Sequence, residues 1–126
     1  MAGEYLHKLV LEDCKVPTWN IMYSGVHWSK RRKLVDQIHS LVFYSTAEQI
    51  GTHTGCLVTK PVILDFEIHY KDKRRRDPDN ACIKPFIDGL VQAGLLYDDS
   101  TEQIRAIIIK MKIKQPSNKV IIKIIV

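Results

Sequence analysis

Four acidic side chains in two short segments are the residues of this chain best suited to chemistry. Arg75-Arg76-Asp77-Pro78-Asp79-Asn80 is followed about 20 residues later by Tyr97-Asp98-Asp99-Ser100. Carboxylates crowded into one place raise one another's pKa values, and a divalent cation relieves that conflict. Magnesium prefers oxygen ligands, keeps several waters, and is held by one or two carboxylates plus phosphate oxygens of a substrate. It activates a water and stabilises charge on a phosphodiester in transit. Cationic residues beside such a cluster would hold a nucleic-acid backbone. Lys71, Lys73, Arg74, Arg75 and Arg76 run directly into the first acidic segment. The same residues admit a plainer use. Asp-Pro-Asp-Asn is also a good turn and helix-cap sequence, and Asp98-Asp99-Ser100 suits an exposed turn that opens a strand.

The elements around these segments decide whether they meet. Between them, Ile83, Phe86, Ile87, Leu90 and Val91 recur at helical spacing, which predicts a helix from about residue 80 to Ala93. Gly94 is its expected stop. Pro85 fits only in or just beyond the first turn, where backbone donors lack helical partners. A helix of ~14 residues is ~20 Å long. The two acidic segments can therefore meet only if the chain after Gly94 doubles back towards the start of the helix.

Elsewhere, residues 4–12 read as a first strand and residues 13–27, with Pro17 and Gly25, as a loop. Ser29 is an expected cap for a helix to about residue 44, carried by Leu34, Val35, Ile38, Leu41 and Val42. Residues 45–60 look irregular. From Pro61 to Tyr70 the alternation is clean, with Val62, Leu64, Phe66, Ile68 and Tyr70 on one side and Asp65, Glu67 and His69 on the other. Residues 102–114 and 119–126 are strand-like, and Pro116-Ser117-Asn118 reads as a hairpin turn between them. The order strand, helix, strand, helix, strand, strand predicts a single α+β domain over residues 1–126, a small mixed β-sheet with helices packed on one face. Val120 to Val126 is almost wholly apolar and must be covered by the core or by another chain.

The stretch RRRDPDNACIKPFIDGLVQAGLLYDDSTEQI resembles the signature of the RusA-type Holliday-junction resolvases, the crossover junction endodeoxyribonucleases. That signature has an R-D-x-D-N motif, a helix bearing a lysine and D-A/G-L, then A-G-V/L and a terminal D-D-S. All these parts occur here in order, over about a quarter of the chain. The remainder agrees in length and layout, including an early Pro-x-x-Asn from Pro17 to Asn20. The resemblance implies a small homodimer of mixed α/β fold that binds four-way DNA junctions. With magnesium, or manganese in its place, such proteins introduce paired symmetric nicks, in DNA recombination and repair. The essential aspartates of the family fall on Asp77, Asp79 and Asp99, as catalytic residues and metal ligands, with Asp98 in support. A functional lysine falls on Lys84. Here the chain departs from the pattern, because Lys84 lies one residue farther from Asp79-Asn80 and precedes a proline, which disfavours helical geometry. Asp88, one turn on, can pair with it.

Composition sets wider bounds. The 126 residues suit one domain. The net charge of +5 and pI near 9.2 permit a polyanionic partner. Besides Lys73 to Arg76, a second run, Lys30-Arg31-Arg32-Lys33, is a candidate for DNA contact, or otherwise a solvated face. No apolar run approaches the roughly 20 residues that span a bilayer, and the first residues lack a secretory pattern. The 3 cysteines show no paired spacing. A cytoplasmic setting, in a bacterial or phage-infected cell, with no membrane partner, is the expectation. His53 and Cys56 are too few for a metal site. Trp19 and Trp28 suit either stacking on unpaired bases or packing. His7, His27, His39 and His69 have no partner evident in the sequence. Two other functions fit the same residues. One is a non-catalytic module that binds branched DNA, although a pure binder gains nothing from anions beside phosphates. The other is a less selective nuclease of flaps or forks.

Overall fold

The computed structural model describes residues 5–23 and 28–126. Glu4 of the expected first strand, and Gly25 and His27 of the expected loop, lie outside them. The alternating segment forms β2, Val62–His69. Val62, Leu64, Phe66 and Ile68 are buried, as is Tyr70 just beyond. Around β2 stand β1 (His7–Glu12), β3 (Ile104–Lys112) and β4 (Lys119–Ile125). The sheet order is β1-β4-β2-β3, with β2 and β3 parallel and the other pairs antiparallel.

One expectation fails here. β3 and β4 are not a hairpin, because β4 lies between β1 and β2. Lys114, at φ 56°, turns the chain aside. The linker then crosses the end of β2, with Lys114 N–H on Asp72 O at 2.9 Å and Gln115 N–H on Tyr70 O at 2.9 Å. Pro116-Ser117-Asn118 belongs to this crossing. The apolar C-terminal run is thereby covered on both edges, and Val120, Ile122 and Ile124 face the core.

The helices are α1 (Trp19–Tyr23), α2 (Trp28–Gln49) and α3 (Lys84–Gln92). The short α1 lies where a plain loop was expected. It is capped by the Thr18 hydroxyl, which accepts from Ile21 N–H at 3.1 Å. α2 runs past residue 44 to Gln49 because Thr46 continues its buried stripe after Ile38 and Val42. Its stop is Gly51, at φ 111°. α3 starts at Lys84 and not near residue 80, since Pro85 is tolerated only in a first turn. Residues 78–80 instead form a separate 3₁₀ turn.

α2 and α3 cover one face of the sheet, as expected. Ile38 and Val42 from α2 and Phe86 and Leu90 from α3 share a core with Leu9, Leu11, Leu64, Phe66 and Ile122. Phe66 and Phe86 meet edge to face, 6.5 Å between centroids. Each such fully buried side chain contributes roughly 1.5–3 kcal/mol. Gly89 sets the approach of the two helices, because a Cβ there would stand 3.2 Å from Val42 Cβ. Burial also pushes the Cys14 thiol up to about 12. Among the described residues no helix is long and apolar enough to cross a membrane.

Candidate functional site

Asp79 and Asp99 line a single cleft of ≈ 450 Å³ beside Lys84 and Asp88 of α3. The chain does return along the helix after Gly94, as a shared site requires. Gly94 ends the helix at φ 79°, and Leu95 N–H reaches back to Leu90 O at 3.0 Å. Any side chain at 94 would put its Cβ 3.0 Å from both Gly55 O and His53 Nε2. Residues 94–96 then run beside residues 56–58. Leu57 N–H donates to Gly94 O at 2.8 Å and Val58 N–H to Leu95 O at 3.0 Å. His53 Nε2 donates to Gly94 O at 2.9 Å, and Cys56 Sγ to Val58 O at 3.1 Å. These two side chains hold the returning segment.

Gln103 shapes the turn that carries Asp99. It is fully buried. Its Oε1 accepts from Tyr97 N–H at 2.7 Å and Asp98 N–H at 3.0 Å, and its Nε2 donates to Val58 O at 2.6 Å. Asp98 closes the same turn. One oxygen accepts from Asp99 N–H at 2.8 Å and the other from the Ser100 hydroxyl. The Ser100 hydrogen bond, with these backbone donors, lowers the Asp98 pKa. Asp98 thus orders the loop, and Asp99 is the member of the pair on the cleft.

Asp77 occupies the N-cap position of the 3₁₀ turn, yet its side chain makes no capping hydrogen bond. The cap reading of Asp-Pro-Asp-Asn therefore fails at its first residue. Asp77 lines a neighbouring cleft of ≈ 350 Å³ with Arg74, Arg75 and Arg76. The two clefts share Ala81. The expected trio is thus divided, two carboxylates in one cleft and the third among arginines next door. Among the described residues there is no group of three or more His, Cys, Asp or Glu side chains that could hold a metal. Two hard oxygen donors do not fit zinc in a structural site. They do fit magnesium, whose other positions are filled by water and substrate phosphate.

The cations sort by what they touch. The Arg76 guanidinium makes two bonds to Asp72, one of them at 2.9 Å, and lies 3.8 Å over the Tyr70 ring. This contact holds the Asp72 carboxyl well below the usual carboxylate range. Arg76 therefore braces the loop, whereas Lys73, Arg74 and Arg75 are exposed. Lys84 pairs with Asp88 at 3.5 Å, the plainer role open to it, while still lining the cleft. In α2, Arg32 approaches Asp36 at 4.0 Å and Arg31 covers the Tyr23 ring at 5.4 Å. The first turn of α2 holds no acidic residue. Lys30 to Lys33 therefore oppose the positive end of the helix dipole, an arrangement that costs stability.

Tyr70, Asp72 and Gln103 were not candidates from the sequence. A polar residue at a strand's start carries no signal that it will be buried, and Asp72 lay within a run read as basic. Of the histidines without an evident partner, His69 bonds Glu67 at 2.7 Å on the face of the sheet away from the helices. Compared with protein-family models and with curated proteins, the chain matches none.

Proposed function

We propose that this chain is a magnesium-dependent endonuclease of branched DNA that resolves four-way junctions by paired nicks, as the RusA-type resolvases do. One observation carries the reading. Asp79 and Asp99, far apart in sequence, line one cleft, next to a second cleft lined by Arg74, Arg75 and Asp77. In this reading Asp79 and Asp99 would hold the ion. When bound, magnesium supplies an activated water and stabilises charge on the phosphoryl group. Arg74, Arg75 and Lys73 hold the adjoining phosphates. Lys84 supplies a further positive charge at the cleft once the strand draws it from Asp88, a surface pair worth little. Lys30 to Lys33 give a second, outlying contact with the DNA arms, which explains cations placed against the helix dipole. The reaction is hydrolysis of a phosphodiester, in which water adds at phosphorus and one P–O bond to sugar breaks.

Paired nicks on a two-fold junction need two related sites, hence a homodimer. Neither β4 nor β1 offers a free edge for its interface. β4 has both edges paired, and on β1 the Gln49 side chain bonds Val10 N–H at 2.8 Å and Val10 O at 2.7 Å. β3 is the other outer strand, and it exposes Ile108 on the face away from the Asp79 and Asp99 cleft. We place the dimer contact there. Three free cysteines suit a reducing cytoplasm.

The test is cleavage of an end-labelled four-way junction, with linear and forked duplexes as controls, with and without magnesium. Symmetric cuts in the junction alone, abolished by chelator, are expected. Equal cutting of the fork would point to a general structure-specific nuclease. Binding without any cutting in magnesium or manganese would leave only a binding module.

A further inference from the structure

The ion and phosphate sites leave part of the cleft unexplained. Besides its charged groups the cleft is lined by Ile83, Ile87, Ile107, Ile109 and Trp19. A metal ion and a sugar-phosphate chain are strongly hydrated and gain nothing from that surface. A planar heterocycle does gain from it.

Trp19 is held there by its own short helix. Met22 is fully buried and anchors α1, while Trp19 stays 39% exposed and Tyr23 50%. Trp19 and Tyr23 stack at 5.3 Å with 29° between planes. Arg31 lies over the Tyr23 ring, 5.4 Å from its centroid. α1 is also fastened to the Asp79 turn. Thr18 bridges Ala81, and Cys82 N–H donates to Pro17 O at 2.8 Å. An exposed aromatic shelf is thus tied to the segment that follows Asp79.

We infer that Trp19, backed by Tyr23, is a stacking platform for an unpaired nucleobase at the branch point of the DNA, and that it helps distinguish branched from linear substrate. This rests on the proposed nuclease reading and adds its basis of selectivity. In a linear duplex every base is paired and stacked within the helix, so the platform has no ligand. At a branch point, bases unstack at low cost and can reach an aromatic face. The arginines of the neighbouring cleft make the occupant polyanionic and so favour DNA over an apolar peptide.

The experiment uses a four-way junction with 2-aminopurine at the branch point, in metal-free buffer. Wild-type protein is expected to change the fluorescence of that base on binding. Trp19→Ala is expected to lose the change and to bind the junction roughly 10-fold more weakly, with affinity for linear duplex unaltered. Trp19→Phe is expected to restore most of both. As a measurement independent of that variant's folding, Trp28→Phe leaves Trp19 as the single tryptophan of the 2. Its emission is expected to be quenched by the junction and not by linear duplex. Unchanged fluorescence and unchanged discrimination in Trp19→Ala would overturn the inference. So would conversion of that variant from dimer to monomer, since Trp19 would then belong to an interface. Both optical signals, the first with wild-type protein and the second with Trp28→Phe, together with no cutting by wild type in magnesium, would leave the platform standing and remove the nuclease reading.

Discussion

Gln103→Leu tests how the turn bearing Asp99 is built. The glutamine is 0% exposed, and it makes good hydrogen bonds to Tyr97 N–H, Asp98 N–H and Val58 O. Each such bond contributes roughly 0.5–1.5 kcal/mol net. Leucine keeps the volume and removes all three. The carbonyl of Val58, itself a buried residue, loses a partner that water cannot readily replace. The exposed position of Tyr97 lets water rescue part of the rest. The expected loss is about 3 kcal/mol, a large share of the ~5–15 kcal/mol that holds a domain of this kind together. Urea denaturation followed by circular dichroism measures it. Gln103→Glu separates the two halves of the contact, because it keeps the acceptor for Tyr97 and Asp98 and sets an oxygen against Val58 O. Magnesium-dependent cleavage is expected to fall in Gln103→Leu under conditions where it stays folded, with Asp79 and Asp99 both intact. A stability change below about 0.5 kcal/mol, the range of ordinary surface substitutions, would mean that Gln103 does not hold the turn.

Replacing Arg74 and Arg75 by alanine is expected to lower the slope of log affinity for the junction against log salt by about 2, near 0.9 for each phosphate no longer neutralised; an unchanged slope would mean that they do not touch DNA. Arg76→Ala is expected to loosen the loop by freeing Asp72 and Tyr70, and a loop as resistant to proteolysis as wild type would contradict that. The Glu67 pKa is lowered chiefly by its hydrogen bond with His69. Its stabilisation is therefore fully present above its ordinary value of 4.5 and is lost as pH falls through the depressed folded value. Glu67→Gln is expected to flatten the acid limb of the urea midpoint plotted against pH, and an equally steep limb would exclude the pair as its source. Sedimentation is expected to show a dimer at micromolar concentration, which Ile108→Lys on β3 converts to monomer; a dimer that tolerates this change forms elsewhere.

The parts of this fold legible in the sequence are those fixed by neighbours along the chain. The period of two in Val62 to Tyr70 named both faces of β2 correctly, and Gly94 marked the end of α3. The strand order was not legible. Ile104–Lys112 and Lys119–Ile125 are both apolar and are separated by turn residues, so local chemistry reads as a hairpin. The actual partners of β4 lie 50 or more residues away on β2 and more than 100 away on β1, and the gain from pairing there is invisible locally. The approach of Asp79 to Asp99 was legible as a possibility, because their spacing across one helix admits a return of the chain. The separation of Asp77 from Asp79 was not, since the Pro78 turn decides it in three dimensions. The supports of the site were hidden for the same reason. Gln103 and Arg76 act on residues whose proximity only the fold creates.

In the proposed function Asp79 and Asp99 act together on DNA in one cleft. Asp79→Asn and Asp99→Asn each remove a ligand charge while nearly preserving shape. The measurement is a gel shift in chelator and a cleavage assay in magnesium, on one four-way junction and on the same protein preparations. Each variant is expected to lose most of its cleavage rate. Without metal, each is expected to bind the junction as tightly as wild type or more so, because a carboxylate that repels phosphate has gone. Wild-type cleavage rates in both variants would contradict the claim, and so would a joint loss of binding and folding.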